Sequence, residues 1–271
     1  MVRSLWTGAT GMIAQQLNVD NIANNLANVN TTGYKTEVME FKSLLYQTIQ
    51  TKSTTANMED KPIGAEVGLG VRNSSITSIF TQGNLLETPG VANFAIDGRG
   101  FFGIRGADGN TYYTRNGNLV FSIGPEGLTL TTTDGLPVLS TEGETIVLDD
   151  DIVLSKVTIG DGGVLYYPGE NDVPQSLGVA IGLWQFNNPA GLNKEGDSLF
   201  SESDASGEAM NESENADLKQ SKLIQGYLEG SNVQIADEMV NLIVAQRAYE
   251  MNSKVITTSD EMLQQANQLK R

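Results

Sequence analysis

The stretch Asn21–Lys35, NIANNLANVNTTGYK, sets Asn21, Asn24, Asn25 and Asn28 inside what otherwise reads as one long amphipathic helix. Asparagine is a poor helix former because its side chain competes for nearby backbone groups. The apolar residues around it still keep helical spacing. Leu5, Ala9, Met12, Val19, Ile22, Leu26 and Val29 follow at steps of three or four, with Gln16 filling the gap after Met12. Thr31-Thr32-Gly33 closes the run, with Gly33 as a left-handed C-cap. Such a helix spans about 43 Å.

The far end of the chain mirrors this pattern. Ile235, Met239, Leu242, Tyr249, Ile256 and Leu263 mark a seam of alternating steps, with Gln246, Ser253 and Asp260 at the intervening positions. Val240, Ile243, Ala266 and Leu269 broaden the stripe, and no glycine or proline follows Gly230. The second helix runs about 50 Å. Two long stripes at opposite ends of one chain predict that the helices pair as a coiled coil.

Between them the period changes to two. Phe94/Ile96, Leu119/Phe121/Ile123, Leu128/Leu130, Val157/Ile159 and Val179/Ile181/Leu183 alternate. Asp97-Gly98, Asp108-Gly109, Asn116-Gly117, Asp134-Gly135 and Asp161-Gly162 punctuate them as turns. The expected fold is therefore α+β, in five parts. Residues 1–33 form the N-terminal helix and 34–66 an extended connector. Residues 67–186 form an antiparallel β domain, 187–222 a returning linker and 223–271 the C-terminal helix.

Charge is unevenly spread over the 271 residues. The net charge is −16. Residues 90–215 carry 19 acids and 5 bases, whereas 1–89 and 216–271 each carry 7 acids and 6 bases. An acidic middle disfavours nucleic acid, and nearly neutral ends can pack closely without self-repulsion. The chain has no cysteine and no histidine. That excludes disulfides, thiolate metal sites and every mechanism that needs an imidazole base. The N-terminus, MVRSLWTGATGMIAQQ, does not read as a Sec signal, because Thr7, Gly8, Thr10 and Gly11 break any apolar core.

Asn18, Asn21, Asn25 and Asn28 keep 3-4-3 spacing beside the apolar stripe, with Asn24 next to them. An ordinary solvated face favours Glu, Lys and Arg. Here only Arg3 and Asp20 are charged before Gly33. A face that is polar yet uncharged suits close packing between identical helices, with amides fixing register. This row is the candidate polymer interface. The candidate coiled-coil seam is Leu5, Met12, Val19, Ile22 and Leu26 with Ile235, Met239, Leu242, Tyr249, Ile256 and Leu263.

Other motifs read more simply. The acids at Asp149–Asp151, Asp161, Glu170 and Asp172 match no calcium loop. Gly68/Gly70 and Gly98/Gly100 complete no nucleotide fingerprint. Tyr112-Tyr113, Tyr166-Tyr167, Trp184 and Phe101-Phe102 are expected to fill a β core. No catalytic residue, metal ligand or cofactor is expected.

At this point the residues carry a family resemblance. ANNLANVNTTGYK (23–35), placed after an N-terminal helix, resembles the signature of bacterial flagellar axial proteins, which build rod and hook. LEGSNVQIADEMVNLIVAQRAYEMNSKVITTSDEMLQQ (228–265) is similar to their C-terminal helix. FAIDGRGFFGIRGADGNTYYTRNGNLVFS (94–122) resembles their β domain, and FNNPAGLNKEGDSLFSESDASG (186–207) their returning linker. SLWTGATGMIAQQ (4–16), FKSLLYQTIQ (41–50) and QRAYEMNSKVITTSDEML (246–263) look like rod members of matching length.

The resemblance implies a non-enzymatic subunit of the distal part of the rod, the drive shaft that carries motor torque to the hook. A proximal rod or hook-type paralogue is the alternative. It further implies a helical homopolymer with the terminal helices in its inner tube. Implied partners are proximal rod proteins, the hook protein, the rings around the rod and the flagellar type III export apparatus. The implied location is the basal body, where the rod crosses the periplasm, reached without a cleaved Sec signal. The polar segment 48–66 lies where distal rod members carry an insertion, which points to a role in keeping the shaft straight. From another class, a carboxylate-dependent peptidoglycan hydrolase requires two acids about 5–9.5 Å apart in a cleft. A calcium-dependent adhesin is a third possibility that the acids raise.

Overall fold

A computed structural model describes residues 3–50, 64–124, 127–149, 152–160, 162–169, 173–215 and 218–269. They fall into two compact units. One gathers the described residues of Met1–Ala27, Glu37–Thr77 and Gln234–Arg271; the other gathers those of Asn28–Thr36 and Ser78–Val233. Long helices lie at both ends of the chain, with antiparallel sheets between them. No helix among the described residues is long and apolar enough to cross a membrane.

The first unit contains α1 (Arg3–Ala27), β1 (Glu37–Ser43), β2 (Tyr46–Gln50), β3 (Ala65–Gly68), β4 (Val71–Ser78) and α2 (Ile235–Gln268). β1 pairs with β4, and β2 pairs antiparallel with β3, from Tyr46 opposite Gly68 to Gln50 opposite Ala65. Most of segment 48–66 lies outside the described residues, but its two ends fall in this β2–β3 ladder. The helices run antiparallel. Ser259 donates to Ser4 Oγ at 3.0 Å. A Cβ added to Gly8 would stand 3.0 Å from Ile256 Cγ1, and one on Gly11 would stand 2.8 Å from the Asn252 amide. Small residues on α1 thus let α2 approach closely, and each step up α1 is a step down α2.

The second unit is built on a six-stranded antiparallel sheet. Its order is Asn193–Lys194, Leu199–Ser201, Thr111–Thr114, Phe101–Arg105, Leu183–Gln185 and Met210–Asn211. Period-two alternation places neighbouring side chains on opposite faces. Phe102 and Leu183 join a core with Phe94, Leu130, Val138, Ile146 and Ile181. Phe101 and Trp184 join a second one with Tyr113, Phe186 and Phe200. In the second core the Phe101 ring meets Phe80 and Phe186 edge-on, at centroid distances of 5.5 Å each. The aromatic residues expected to fill a core include the buried Phe101, Phe102, Tyr113 and Trp184.

Several boundaries fall where periodicity did not put them. The first helix stops at Ala27, although the apolar spacing continues to Val29. The Asn28 carbonyl accepts from the Thr31 N–H, and the Asn28 side chain accepts from the Thr31 hydroxyl, so a turn replaces the next helical turn. Residues 67–77 belong with the helices, because β3 and β4 pair with β2 and β1. The polar segment 187–222 supplies three strands of the main sheet, and its Leu192 and Phe200 are buried. Residues 222–225 and 227–229 are strands paired with 94–97 and 85–87, so the second helix begins only at Ile235.

Two turn glycines differ in their reason. Gly109 sits at φ +82° in open space, so only its backbone conformation calls for glycine. Gly117 has ordinary φ, but a Cβ there would lie 1.6 Å from the Phe94 carbonyl oxygen.

Candidate assembly interface

Two members of the amide row, Asn21 and Asn25, hydrogen-bond within their own chain. Asn25 is 1% exposed. Its Oδ1 accepts the Glu37 N–H at 2.9 Å, and its Nδ2 donates to the Glu37 carbonyl at 2.8 Å. Asn21 Nδ2 donates to the same carbonyl at 2.8 Å. The side chain of Asn25 therefore does for the first residue of β1 what a neighbouring strand's peptide would do. A carboxamide can both donate and accept, which is why a carboxylate or an ammonium cannot take its place. Asn18 is half-buried beside them and Asn24 is exposed. Asn28 belongs to the second unit, in the turn described above.

α1, β1 and α2 enclose a groove of about 320 Å3, lined among others by Asn18, Asn21, Asn25, Glu37, Asn241 and Glu238. Glu238 lies in the first turn of α2 and is 8% exposed. Burial pushes its carboxyl above the ordinary range; a hydrogen bond from Asn25 opposes this and the neighbouring Asp237 adds to it. Its Oε2 has no hydrogen-bond partner among the described residues. A second groove of about 390 Å3 is lined by Gln16 and Val19 on α1 and by Gln246, Tyr249 and Glu250 on α2.

The residues of the two apolar stripes differ in how deeply they sit, and one of them, Ile256, lies where the helices touch. Ser4, Gly8 and Gly11 meet Ser259, Ile256 and Asn252. Ile22 is buried, and Leu5, Met12, Val19, Leu26, Leu242 and Ile256 are half-buried. Ile235, Met239, Tyr249 and Leu263 are 42–52% exposed. Ile13, Leu17, Val240, Ile243, Val244 and Met251 are exposed as well. Many large apolar side chains thus stand on the outside of the helix pair, while α1 offers the small residues Ser4, Gly8 and Gly11 where α2 comes close.

The second unit holds a buried ionic cluster that periodicity gave no means of finding. Lys35 Nζ donates to Glu229 Oε1 at 2.6 Å and to the Thr81 carbonyl at 2.8 Å. Arg115 Nε donates to Glu229 Oε2 at 3.1 Å, and its Nη1 donates to the carbonyls of Gly98 and Gly100. The Gly83 N–H donates to Glu229 Oε1 at 3.0 Å. The side chains of all three ionic residues are 1–3% exposed. Two bases share one acid, and main-chain carbonyls take the remaining donors. Burial, then Arg115, pushes the Lys35 ammonium below its usual range, and Glu229 opposes this. Lys35 and Glu229 are 194 positions apart. Each is an ordinary charged residue in sequence, and only the pairing of the strands around them reveals the cluster. It ties residues 28–36 to the strand before α2, where Thr36 also donates to Asn232 Oδ1 at 2.7 Å.

Comparison with known proteins agrees along the whole chain. Residues 5–35 match the family described as flagella basal body rod protein. Residues 95–167 match the flagellar hook protein FlgE/F/G D1 domain. Residues 224–269 match the flagellar basal body rod FlgEFG protein C-terminal family. The chain is 43% identical over 273 residues to the flagellar basal-body rod protein FlgG of Borreliella burgdorferi, covering 100% of both chains. It is 45% identical to the protein of that name from Agrobacterium fabrum, covering 96% of this chain and 97% of the relative. With the FlgG protein of Bacillus subtilis it shares 40% identity over 100% of both.

Proposed function

Because the chain belongs to the flagellar basal-body rod family, we propose that it builds the distal part of the rod by polymerising through its terminal helices. It is a structural subunit of the flagellar rod, and its place is the basal body. Its role is mechanical and needs no covalent chemistry. The polymer, its distal position and its neighbours are the proposal.

One observation carries the reading. The large apolar residues of α1 and α2 face outward, from Ile13 and Leu17 to Met239, Ile243 and Met251. Two helices bury only the side they share, and helices that are apolar on further sides need further partners. Each Å2 of apolar surface withdrawn from water contributes about 25 cal/mol. Other copies of the same two helices supply that cover in a helical tube, and the 3.5-residue spacing of Ile235–Leu263 suits coiled-coil packing between them. Proximal rod proteins, the hook protein and the rings around the rod are the proposed neighbours, and the flagellar type III apparatus the proposed export route. The near-neutral ends fit the dense inner wall, and the acidic middle fits the outer layer.

Electron microscopy of the purified chain over a concentration series tests this. Tubular filaments that appear above a threshold concentration are expected. A chain that stays monomeric at every concentration with its helices intact would overturn the reading.

A further inference from the structure

The groove between α1, β1 and α2 contains a buried acceptor that the described residues leave unmatched. Glu238 is more than nine-tenths buried, lines the groove, and its Oε2 has no partner among the described residues. A buried carboxylate oxygen without a donor is costly, so its retention needs a reason. Interaction with the helix dipole is an insufficient one. Asp237, exposed in the same first turn, already places an acid at the N-terminus of α2, and that role requires no burial.

The lining states what would fit. Among the described residues it offers amides from α1 and α2 and the carboxylates of Glu37 and Glu238, and it contains no lysine or arginine. Its 320 Å3 is roughly ten times the volume of one water molecule in the liquid. A bare ion would leave most of that space unfilled. Ile22, Met39 and Val244 add apolar wall suited to methylenes. A cationic head on an aliphatic stem matches both parts.

We propose that this groove receives a lysine or arginine side chain from a helix of a second copy of the chain, whose cationic head bonds to Glu238 Oε2. The proposal rests on the polymer reading above. Exposed bases on the helices are Arg3, Arg247 and Lys254. Arg247 meets Glu250 in a solvent-exposed pair at 2.8 Å, a contact that a better partner readily replaces. Seating a cation would draw the Glu238 carboxyl back toward its ionised form. The other titratable groups around it are Asp237 on α2 and Glu37 on β1, while α1 contributes amides and Ile22 to the groove and no charged group. Assembly therefore strengthens as pH rises through the range in which Glu238 ionises.

The test compares threshold concentrations for assembly, measured by sedimentation, of wild type, Glu238→Gln, and Arg3→Gln, Arg247→Gln and Lys254→Gln alone or combined with Glu238→Gln. Circular dichroism melts of the monomers check folding. Glu238→Gln should raise the threshold about tenfold, the scale of one close interfacial charge pair, without lowering monomer stability. It should also abolish the pH dependence. One base substitution should match it, and the corresponding double variant should be no worse than either single. A Glu238→Gln threshold equal to wild type would overturn the proposal, and strict additivity in all three doubles would overturn the second-copy occupant. Wild type that never assembles would bring down the polymer reading itself, a result distinct from the other two.

Discussion

The two units of this chain spend their apolar residues in opposite ways. In the second unit Phe94, Phe101, Phe102, Leu130 and Ile181 are essentially inaccessible, and two cores lie on opposite faces of one sheet. In the first unit Ser4, Gly8 and Gly11 of α1 meet Ser259, Ile256 and Asn252 of α2, while Met239, Ile243 and Met251 stand in solvent. The second unit has the interior of a self-contained domain. The first leaves many of its large apolar residues in solvent, which is what the proposed polymer would cover. Apolar periodicity marks the elements of both, so periodicity reports which face is to be buried and not what buries it.

Substitutions can break that contrast. The largest effect is expected at Glu229. Glu229→Ala leaves Lys35 and Arg115 buried without their acid, and should cost about 3–5 kcal/mol. Chemical denaturation monitored by tryptophan fluorescence reads this, since Trp184 lies in the second unit. A loss under 1 kcal/mol would show that main-chain carbonyls alone satisfy the two bases.

Asn25→Ala is expected next. It removes the two bonds that Asn25 makes to Glu37 at the start of β1, leaving the carbonyl its bond from Asn21, at a cost of roughly 1–3 kcal/mol. Amide hydrogen exchange at Glu37 and Met39 should rise, with exchange in the sheet of the second unit unchanged. Unaltered protection at Glu37 would mean that the β1–β4 pairing suffices to hold that strand.

Met239→Ala sharpens the contrast from the other side. The residue is 52% exposed, so monomer stability should change by less than about 0.5 kcal/mol. Filament formation should nonetheless weaken, because every copy repeats the loss. A monomer destabilised as much as by a core truncation would show that this residue is already covered within one chain.

The smallest effect is the pH response of the monomer. The Glu238 carboxyl is raised in the folded chain, so folding favours its protonated form. Monomer stability should then fall slightly as pH rises from the ordinary carboxylate range through the raised one, and the fall should be absent in Glu238→Gln. Thermal melts at pH 4 to 8 measure it. This slope is opposite in sign to that expected for assembly.

Sequence by itself determined the α+β class, the two terminal helices and the Asp-Gly turns of the β region. These follow from local preferences, side-chain period and φ > 0 at glycine, which neighbouring residues dictate. It also singled out Asn21 and Asn25 as unusual, because uncharged amides on a helix face conflict with propensity. Tertiary structure alone decided what those amides bond, since Glu37 becomes their partner only once the chain has turned back at Asn28–Thr31. It alone brought Lys35 to Glu229 and Arg115, a cluster whose members carry no local mark and meet across 194 positions. It alone drew Leu192 and Phe200 of a polar segment into a core, because strand pairing is non-local and one edge of a sheet can recruit any segment that reaches it. For the same reason the helix stripes announced that they would be buried, while the close approach of α2 to α1 falls at Gly8 and Gly11, opposite Ile256 and Asn252. Close approach of two backbones is a property of the pair, and neither helix's own spacing contains it.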